Sequence, residues 1–465
     1  MLYYFPKYFT SRAIGLYLTV LLFVTCIFIS YTMSWYWYML GMIQVIGFFY
    51  FSNVLTKRWA NIPEEKFLSN IFTTALTIRI IWVIFIYGFY ILMTGRPFPH
   101  QPFDVLMYDE VASDLATRGF SHYEDILKRF GPSDRGYPTY LGIVYMMTWD
   151  SILVARLIKA VIGAFTCVLV YRLAKRNFGE KIGRIAGIFS VLMPYLIYYC
   201  GEHLKETEMI FLTVAFVERA DYLLRSKKYN FLNILTPVLL AGSLFFFRTV
   251  LGAMALIIFF LATLFSLGNT ISWGKGILTG ICIITTVGYF AGGRIATEVE
   301  IVLEESNNSQ KQQIRRDSRA KINEFARYTG ATVFAPMIFT IPFPTMIKIE
   351  YQEEHQLLNG SNFVKNITAF FTMLGVFLLF YRKKWKEHIL VLFFLIGYLA
   401  ILVLSPFAHS GRFHMPCLPF ALIIAAYGLS QMDNKKKIYF NAYIVILFIA
   451  IIGWSWFKLA GRGLV

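Results

Sequence analysis

Long apolar runs recur along the chain and restrict the folds that it can adopt. The first of them, GLYLTVLLFVTCIFIS, carries no charged side chain, and the whole sequence is 57% hydrophobic and only 15% charged. A helix over the span that contains this run, residues 13–31, is long enough to cross the roughly 30 Å hydrocarbon core of a bilayer. Soluble domains would show amphipathic patterns instead. The sequence therefore predicts an all-α, polytopic membrane protein.

Lys and Arg residues cluster in short turns between the apolar runs. The net charge is +17, but clusters such as KRWANIPEEK, YRLAKRNFGEKIGR and NKKK lie at span ends, which is typical of cytoplasmic loops and not of a nucleic-acid surface. Placing these clusters in the cytoplasm gives one consistent path with about thirteen transmembrane helices. The predicted spans are residues 13–31, 35–53, 71–93, 150–171, 184–201, 207–224, 231–247, 250–268, 276–291, 366–381, 388–405, 417–431 and 438–457.

This path divides the chain into five parts. N-terminal transmembrane helices occupy residues 1–93, an external loop with an interfacial helix occupies 94–149, and central transmembrane helices occupy 150–291. A long external amphipathic segment is predicted at 292–365, before C-terminal transmembrane helices at 366–465. The polar segments that carry candidate functional residues fall on the extracytoplasmic side of the cytoplasmic (inner) membrane.

The stretch RPFPHQPFDVLMYDEVASDLATRG, residues 96–119, is rich in carboxylates within an otherwise apolar chain. It lacks proline and glycine between Asp104 and Gly119, so it predicts a helix over about residues 105–118. Asp104 stands at the predicted N-cap and Gly119 ends the helix, with Tyr108 on the same face as Asp104. From residue type alone, Asp104 is a helix cap.

The pattern D-x-x-x-Y-x-x-x-A-x-x-L in this stretch, followed by a glycine, resembles the first external loop of the GT-C superfamily of polytopic glycosyltransferases. The superfamily includes the protein O-mannosyltransferases, the lipid A aminoarabinose transferases and their bacterial relatives. Later stretches resemble the family in the same order, namely RGYPTYLGIVYMMTWDSILVARLIKAVIGAFTCVLVYRLAKRNFG, MPYLIYYCGEHLKETEMIFL and GRFHMPCLPFALIIAAYGL. In contrast to the family pattern, about three spans precede the loop, and residues 292–365 match no part of it.

The resemblance implies an inverting membrane glycosyltransferase of GT-C type. It would transfer a sugar from a polyprenyl-phosphate donor in the membrane lipid to an extracytoplasmic glycan, lipid or protein acceptor. Such a transfer needs a base for the acceptor hydroxyl and cations for the departing phosphate. By resemblance, Asp104 is the base and the substrate-binding residues are Tyr108, Arg135, Tyr137, Glu206, Arg248 and Arg412. Glu202 and Glu208 compete with Glu206 for the role of second acid.

Other interpretations remain open from the sequence. A divalent cation could bind Asp104 together with Asp109 and Glu110, although adjacent acids on a helix point apart, and no metal ligand is assigned. An O-antigen-type polymerase or ligase would depend on external arginines instead of Asp104. A lipid-linked sugar transporter or flippase would need charges in the middle of spans, whereas most charges here lie at span ends.

Overall fold

The computed structural model describes residues 2–100, 103–128, 130, 134–226, 230–266, 280, 337–349, 353–404 and 410–460. These residues are largely helical and contain no β-strand, which confirms the predicted all-α class. The α-helices are α1 (Lys7–Ile27), α2 (Trp35–Arg58), α3 (Glu64–Thr94), α4 (Phe103–Arg118), α5 (Tyr123–Leu127), α6 (Gly136–Thr148), α7 (Ile152–Phe178), α8 (Glu180–Leu192), α9 (Pro194–Gly201), α10 (Glu206–Arg225), α11 (Phe231–Phe247), α12 (Thr249–Ser266), α13 (Asn359–Tyr381), α14 (Ile389–Leu404), α15 (Leu418–Ser430) and α16 (Lys437–Ala460).

Within the described residues, eight helical segments are long and apolar enough to cross a membrane, and a ninth results if α8 and α9 form one bent span. The apolar helices α11 and α12 are shorter. A helix occupies the position of every predicted span except residues 276–291, of which only residue 280 is described. The chain is therefore a multi-pass membrane protein, and the total of about thirteen spans stays a prediction.

Helix α7 packs against α3, α8 and α10. Its residues Ala160, Gly163 and Ala164 are small, so neighbouring helices can approach its backbone closely. A second tight pair is formed by α13 and α15. Outside the spans, α4 packs against α6, and α6 contacts both α7 and α11. The loop that carries α4 is therefore packed against the central helices.

The arginine Arg79 lies in the middle of α3 and is fully buried, in contrast to the predicted placement of charges at span ends. Between α8 and α9 the chain bends by 42°, and Pro194 has no N–H to donate to the carbonyl oxygen of Ser190. Arg79 Nη2 donates to that oxygen at 3.2 Å, and Nη1 donates to the carbonyl oxygen of Val191 at 3.4 Å. The guanidinium thus satisfies backbone groups that the bend exposes within the membrane.

The segment 292–365, predicted to be external, ends earlier in the structure than predicted, because α13 begins at Asn359. Residues 359–365 belong to α13, and residues 292–336 lie outside the described residues. The non-helical residues 341–349 run beside α13, whose Asn359 side chain exchanges two 2.9 Å hydrogen bonds with the backbone of Thr345. Asn366 donates to the carbonyl oxygen of Pro342 at 3.1 Å. The polar face of α13 therefore satisfies this irregular backbone, as burial requires.

Cysteine labelling can test the sidedness that the charge distribution predicts. In a variant without native cysteines, we expect cysteine at the exposed Ser121 to react with a membrane-impermeant thiol reagent from outside intact cells, and cysteine at the exposed Lys435 to react only after permeabilisation. Both positions are exposed, so a difference in labelling reports the side of the membrane. The reverse pattern would contradict an extracytoplasmic position of the loop that carries α4.

Candidate active site

The candidate site lies where three separate segments meet. Asp104 is in the first turn of α4, and Glu206 is the first residue of α10. Arg412 follows the first residue of a 3₁₀ segment, Gly411–Cys417, that leads into α15. The N-terminus of a helix favours a carboxylate, because the unpaired backbone N–H groups there carry partial positive charge.

Arg412 forms ion pairs with both acids. Its Nη1 donates to Oδ2 of Asp104, and its Nε donates to Oε1 of Glu206. The side chain of Glu206 is fully buried, that of Arg412 is 21% exposed, and that of Asp104 is 48% exposed. The buried acid therefore anchors a guanidinium that in turn holds a solvent-accessible carboxylate, in charge-assisted hydrogen bonds.

The backbone before Arg412 is fixed by a close contact at Gly411. A Cβ atom on Gly411 would lie 2.2 Å from the hydroxyl oxygen of Tyr195, so only glycine fits there. That hydroxyl donates to Oδ1 of Asn362 on α13. The close contact of Gly411 with Tyr195 thus fixes the position of Arg412, the next residue.

Asp104 does not have the position of a helix cap in the structure, in contrast to the prediction from residue type. Helix α4 begins at Phe103, two residues earlier than a cap at Asp104 requires, so Asp104 lies inside the first turn. Its Oδ2 accepts from Arg412 instead of from the backbone of its own helix. The predicted C-terminal end is correct, because α4 ends at Arg118 and Gly119 follows with φ of 78°.

Lys205 is a cation of this region that the sequence analysis did not select. Its ammonium pairs with Asp134 and donates to the carbonyl oxygen of Phe247 at 3.0 Å. Burial lowers the pKa of Lys205, an effect that Asp134 offsets only in part. The adjacency of Lys205 to Glu206 was the available signal, but a lysine in a turn is usually solvated.

Arg248 lies between α11 and α12, and its guanidinium stands 4.6 Å above the ring of Phe413. Phe413 is the residue after Arg412, so the two arginines approach the same region from different elements. Among the described residues Arg248 forms no ion pair with a carboxylate, although its charge acts on Glu206 and Lys205. The positive charge of Arg248 is therefore compensated much less by carboxylates than the positive charge of Arg412.

Tyr108 and Tyr137 pack together beneath the ion pairs. Their ring centroids are 5.1 Å apart, and the ring of Tyr108 also stacks on Phe130. Burial raises the pKa of both phenols, so they remain protonated. The hydroxyl of Tyr137 is buried and has no hydrogen-bond partner among the described residues.

A Cβ atom on Gly136, the residue before Tyr137, would lie 2.7 Å from the carbonyl oxygen of Phe246, so glycine is required where α6 meets α11.

The third predicted arginine, Arg135, makes different contacts from Arg248 and Arg412. Its Nη1 donates to Glu124 at 2.8 Å, and the side chain of Glu124 is largely exposed. Its Nε donates to the carbonyl oxygen of Phe130 at 3.4 Å. No described contact joins Arg135 to the pair of Asp104 and Arg412.

Asp109 belongs to a second cluster with His203 and Tyr145. Tyr145 donates to Asp109, and Nε2 of His203 lies 3.1 Å from the Tyr145 hydroxyl oxygen. Burial raises the pKa of Asp109 and lowers that of His203 well below its usual value, so His203 is neutral. Glu110 is exposed, and within the described residues no three His, Cys, Asp or Glu side chains converge as metal ligands.

The three competing acids near α10 have different partners. Glu206 contacts Arg412, whereas Glu202 accepts a 2.5 Å hydrogen bond from the hydroxyl of Tyr90. Glu208 lies 3.6 Å from Nζ of Lys159. Of the three, Glu206 is the one in contact with the arginine that also holds Asp104.

Comparison with known protein families gives a match over part of the chain. Residues 128–297 match the model of the Alg9-like mannosyltransferase family, a family with the GT-C fold. Over these residues the chain is similar to a glycosyltransferase family of GT-C type, and its apolar helices are those of a membrane protein. The matched region contains Arg135, Tyr137, Glu206 and Arg248, and the family implies a lipid-linked sugar donor and a glycan acceptor. No curated protein matches the chain.

The buried His203 should make the stability of the protein depend on pH. Because the folded state lowers the pKa of His203 below 6.5, the unfolded chain binds a proton below about pH 6.5 that the folded protein does not. Stability should therefore fall on acidification, by up to about 1.4 kcal/mol per pH unit. We expect wild type to lose more thermal stability than His203→Gln between about pH 7.5 and about pH 5. Equal losses would show that His203 is protonated in the fold.

Proposed function

We propose that the protein transfers a sugar from a polyprenyl-phosphate donor to an acceptor hydroxyl on the extracytoplasmic side, with Asp104 as the general base. The observation that carries the proposal is the contact of Arg412 with both Asp104 and Glu206. A lipid donor keeps its chain in the bilayer and its head group at the interface. Asp104 lies on an external helix that packs above the central spans, which suits such a head group.

Asp104 is suited to receive a proton. Oδ2 accepts from Arg412, and Oδ1 has no described partner on a side chain that is nearly half exposed. In the proposed reaction the acceptor oxygen attacks the anomeric carbon while its proton passes to Asp104, and the bond from that carbon to the phosphate oxygen breaks. One displacement of this kind inverts the anomeric configuration, and polyprenyl phosphate leaves.

We assign the departing phosphate to Arg248. Arg412 is already paired with two carboxylates, so an added phosphate there would meet two like charges. Arg248 has no described carboxylate partner, and its fork of donors can bind phosphate oxygens in pairs. Lys205 acts electrostatically on Arg248 from the turn before Glu206, which adds positive potential on this side of the site.

We assign recognition of the sugar to Tyr137 and Glu206. The Tyr137 hydroxyl and Oε2 of Glu206 are buried without hydrogen-bond partners among the described residues. A buried polar atom without a partner costs about 1–3 kcal/mol, and sugar hydroxyls can supply the missing partners. Tyr108 packs against Tyr137 and fixes its ring.

Substitution of Asp104 tests the base. An asparagine oxygen can still accept a hydrogen bond from Arg412, but it cannot take the proton, so we expect Asp104→Asn to fold normally and transfer sugar about 10² to 10⁴ times more slowly. Asp114→Asn is the matched control, because Asp114 lies on the same helix in an exposed ion pair with Arg118. Turnover would be followed with purified protein and a panel of polyprenyl-phosphate sugars. Full activity of Asp104→Asn would favour a mechanism of the polymerase or ligase kind that depends on arginines.

Product inhibition tests the phosphate site. Loss of a hydrogen bond to a charged group costs about 1.5–3 kcal/mol, so we expect polyprenyl phosphate to inhibit Arg248→Gln about tenfold to a hundredfold more weakly than wild type. Arg135→Gln removes an external arginine outside the cluster and should be inhibited like wild type. Unchanged inhibition of Arg248→Gln would move the phosphate to another cation.

A further inference from the structure

Helix α7 carries a buried lysine, Lys159, whose side chain is only 1% exposed. Burying an ammonium costs several kcal/mol unless its hydrogen bonds and charge are matched. Here all three donors of the ammonium have acceptors nearby. Nζ of Lys159 donates to the carbonyl oxygen of Glu202 at 2.8 Å and to that of Leu204, and it lies 3.6 Å from Oε2 of Glu208.

These acceptors surround Glu206 in the sequence. Glu202 and Leu204 form the turn between α9 and α10, directly before Glu206, and Glu208 lies in the first turn of α10. Lys159 itself has no described contact with Arg412 or Asp104. It contacts the backbone before Glu206 and the side chain two residues after it, and its ammonium also lies 5.3 Å from the centre of the Tyr137 ring. Its hydrogen bonds and its ion pair therefore act on the site through the segment that carries Glu206.

We propose that Lys159 is a positioning residue that holds this turn so that Glu206 contacts Arg412, and through Arg412 orients Asp104. The inference rests on the proposed function of Asp104 and Glu206. Residues two apart on a helix point about 200° away from each other. Lys159 therefore holds the Glu208 side of α10 while Glu206 is directed to the opposite side, toward Arg412. Displacement of a reacting group by about 1 Å can slow catalysis by about a hundredfold.

Arg156 provides a matched control for the loss of a buried cation. It is one helical turn before Lys159 on α7 and is also fully buried. Its Nη2 donates to the carbonyl oxygen of Pro97 at 2.6 Å and not to the turn before Glu206. Arg156→Met should therefore lower stability without acting through Glu206.

A double-mutant cycle tests the proposal, with kcat measured on purified full-length protein and a polyprenyl-phosphate sugar. We expect Lys159→Met and Glu206→Gln each to lower kcat about tenfold or more, and the double variant to be no slower than the slower single variant. The effects of Arg156→Met and Glu206→Gln should multiply. If Lys159→Met does not fold, Lys159→Gln, which keeps two donors without the charge, replaces it in the cycle.

Two results would overturn the proposal. Multiplying effects of the Lys159 and Glu206 substitutions would show that Lys159 only stabilises the fold. Full activity of Glu206→Gln would remove Glu206 from the site and with it the role of Lys159. The base at Asp104 is tested separately by Asp104→Asn, so failure of Lys159 and failure of the proposed function are distinguishable.

Discussion

The ion pairs of one guanidinium, that of Arg412, join the parts of the chain on which the candidate site depends. Asp104 is 308 residues away in the sequence and Glu206 is 206 residues away, and both contact Arg412. Two carboxylates beside one cation leave a net negative charge, which Lys205 and Arg248 offset electrostatically at Glu206. Because Glu206 is fully buried, loss of any of these cations would leave its charge poorly compensated. The two acids of the site therefore depend on cations from three segments of the chain.

The membrane imposes a related requirement on the framework beneath the site, since a bilayer offers no water to satisfy polar groups. Arg79 satisfies carbonyl groups at the bend between α8 and α9, so α9 can end at the turn that precedes Glu206. On the other side, Asn362 of α13 accepts from Tyr195 of α9, and Tyr195 contacts Gly411. Arg79 and the hydrogen-bonded pair of Tyr195 and Asn362 thus fix the two segments that carry Glu206 and Arg412.

Helix positions could be predicted from the sequence because apolar length and charge placement follow directly from the thickness and polarity of a bilayer. The local role of Asp104 could not be predicted, because a carboxylate near the start of a helix can either cap the helix or pair with an arginine. The choice among Glu202, Glu206 and Glu208 also depends on tertiary contacts, since only the packing of α7 and the Gly411–Cys417 segment determines which acid meets which cation. Lys205 and His203 were missed for the same reason, because their burial is a property of the folded turn.

The unequal pairing of the two arginines divides the candidate site into halves with different chemistry. Arg412 is saturated by two carboxylates, so its charge is used to hold the acids in place. In the proposed function Arg248 keeps its charge for the phosphate, and the ring of Phe413 against its guanidinium limits the directions from which the phosphate can approach. A sugar phosphate has the complementary division, with neutral hydroxyl groups at one end and a growing negative charge at the other. Its sugar would lie beside Asp104, Glu206 and Tyr137, and its phosphate beside Arg248, which explains why a strongly apolar chain keeps acids and arginines together at one membrane face.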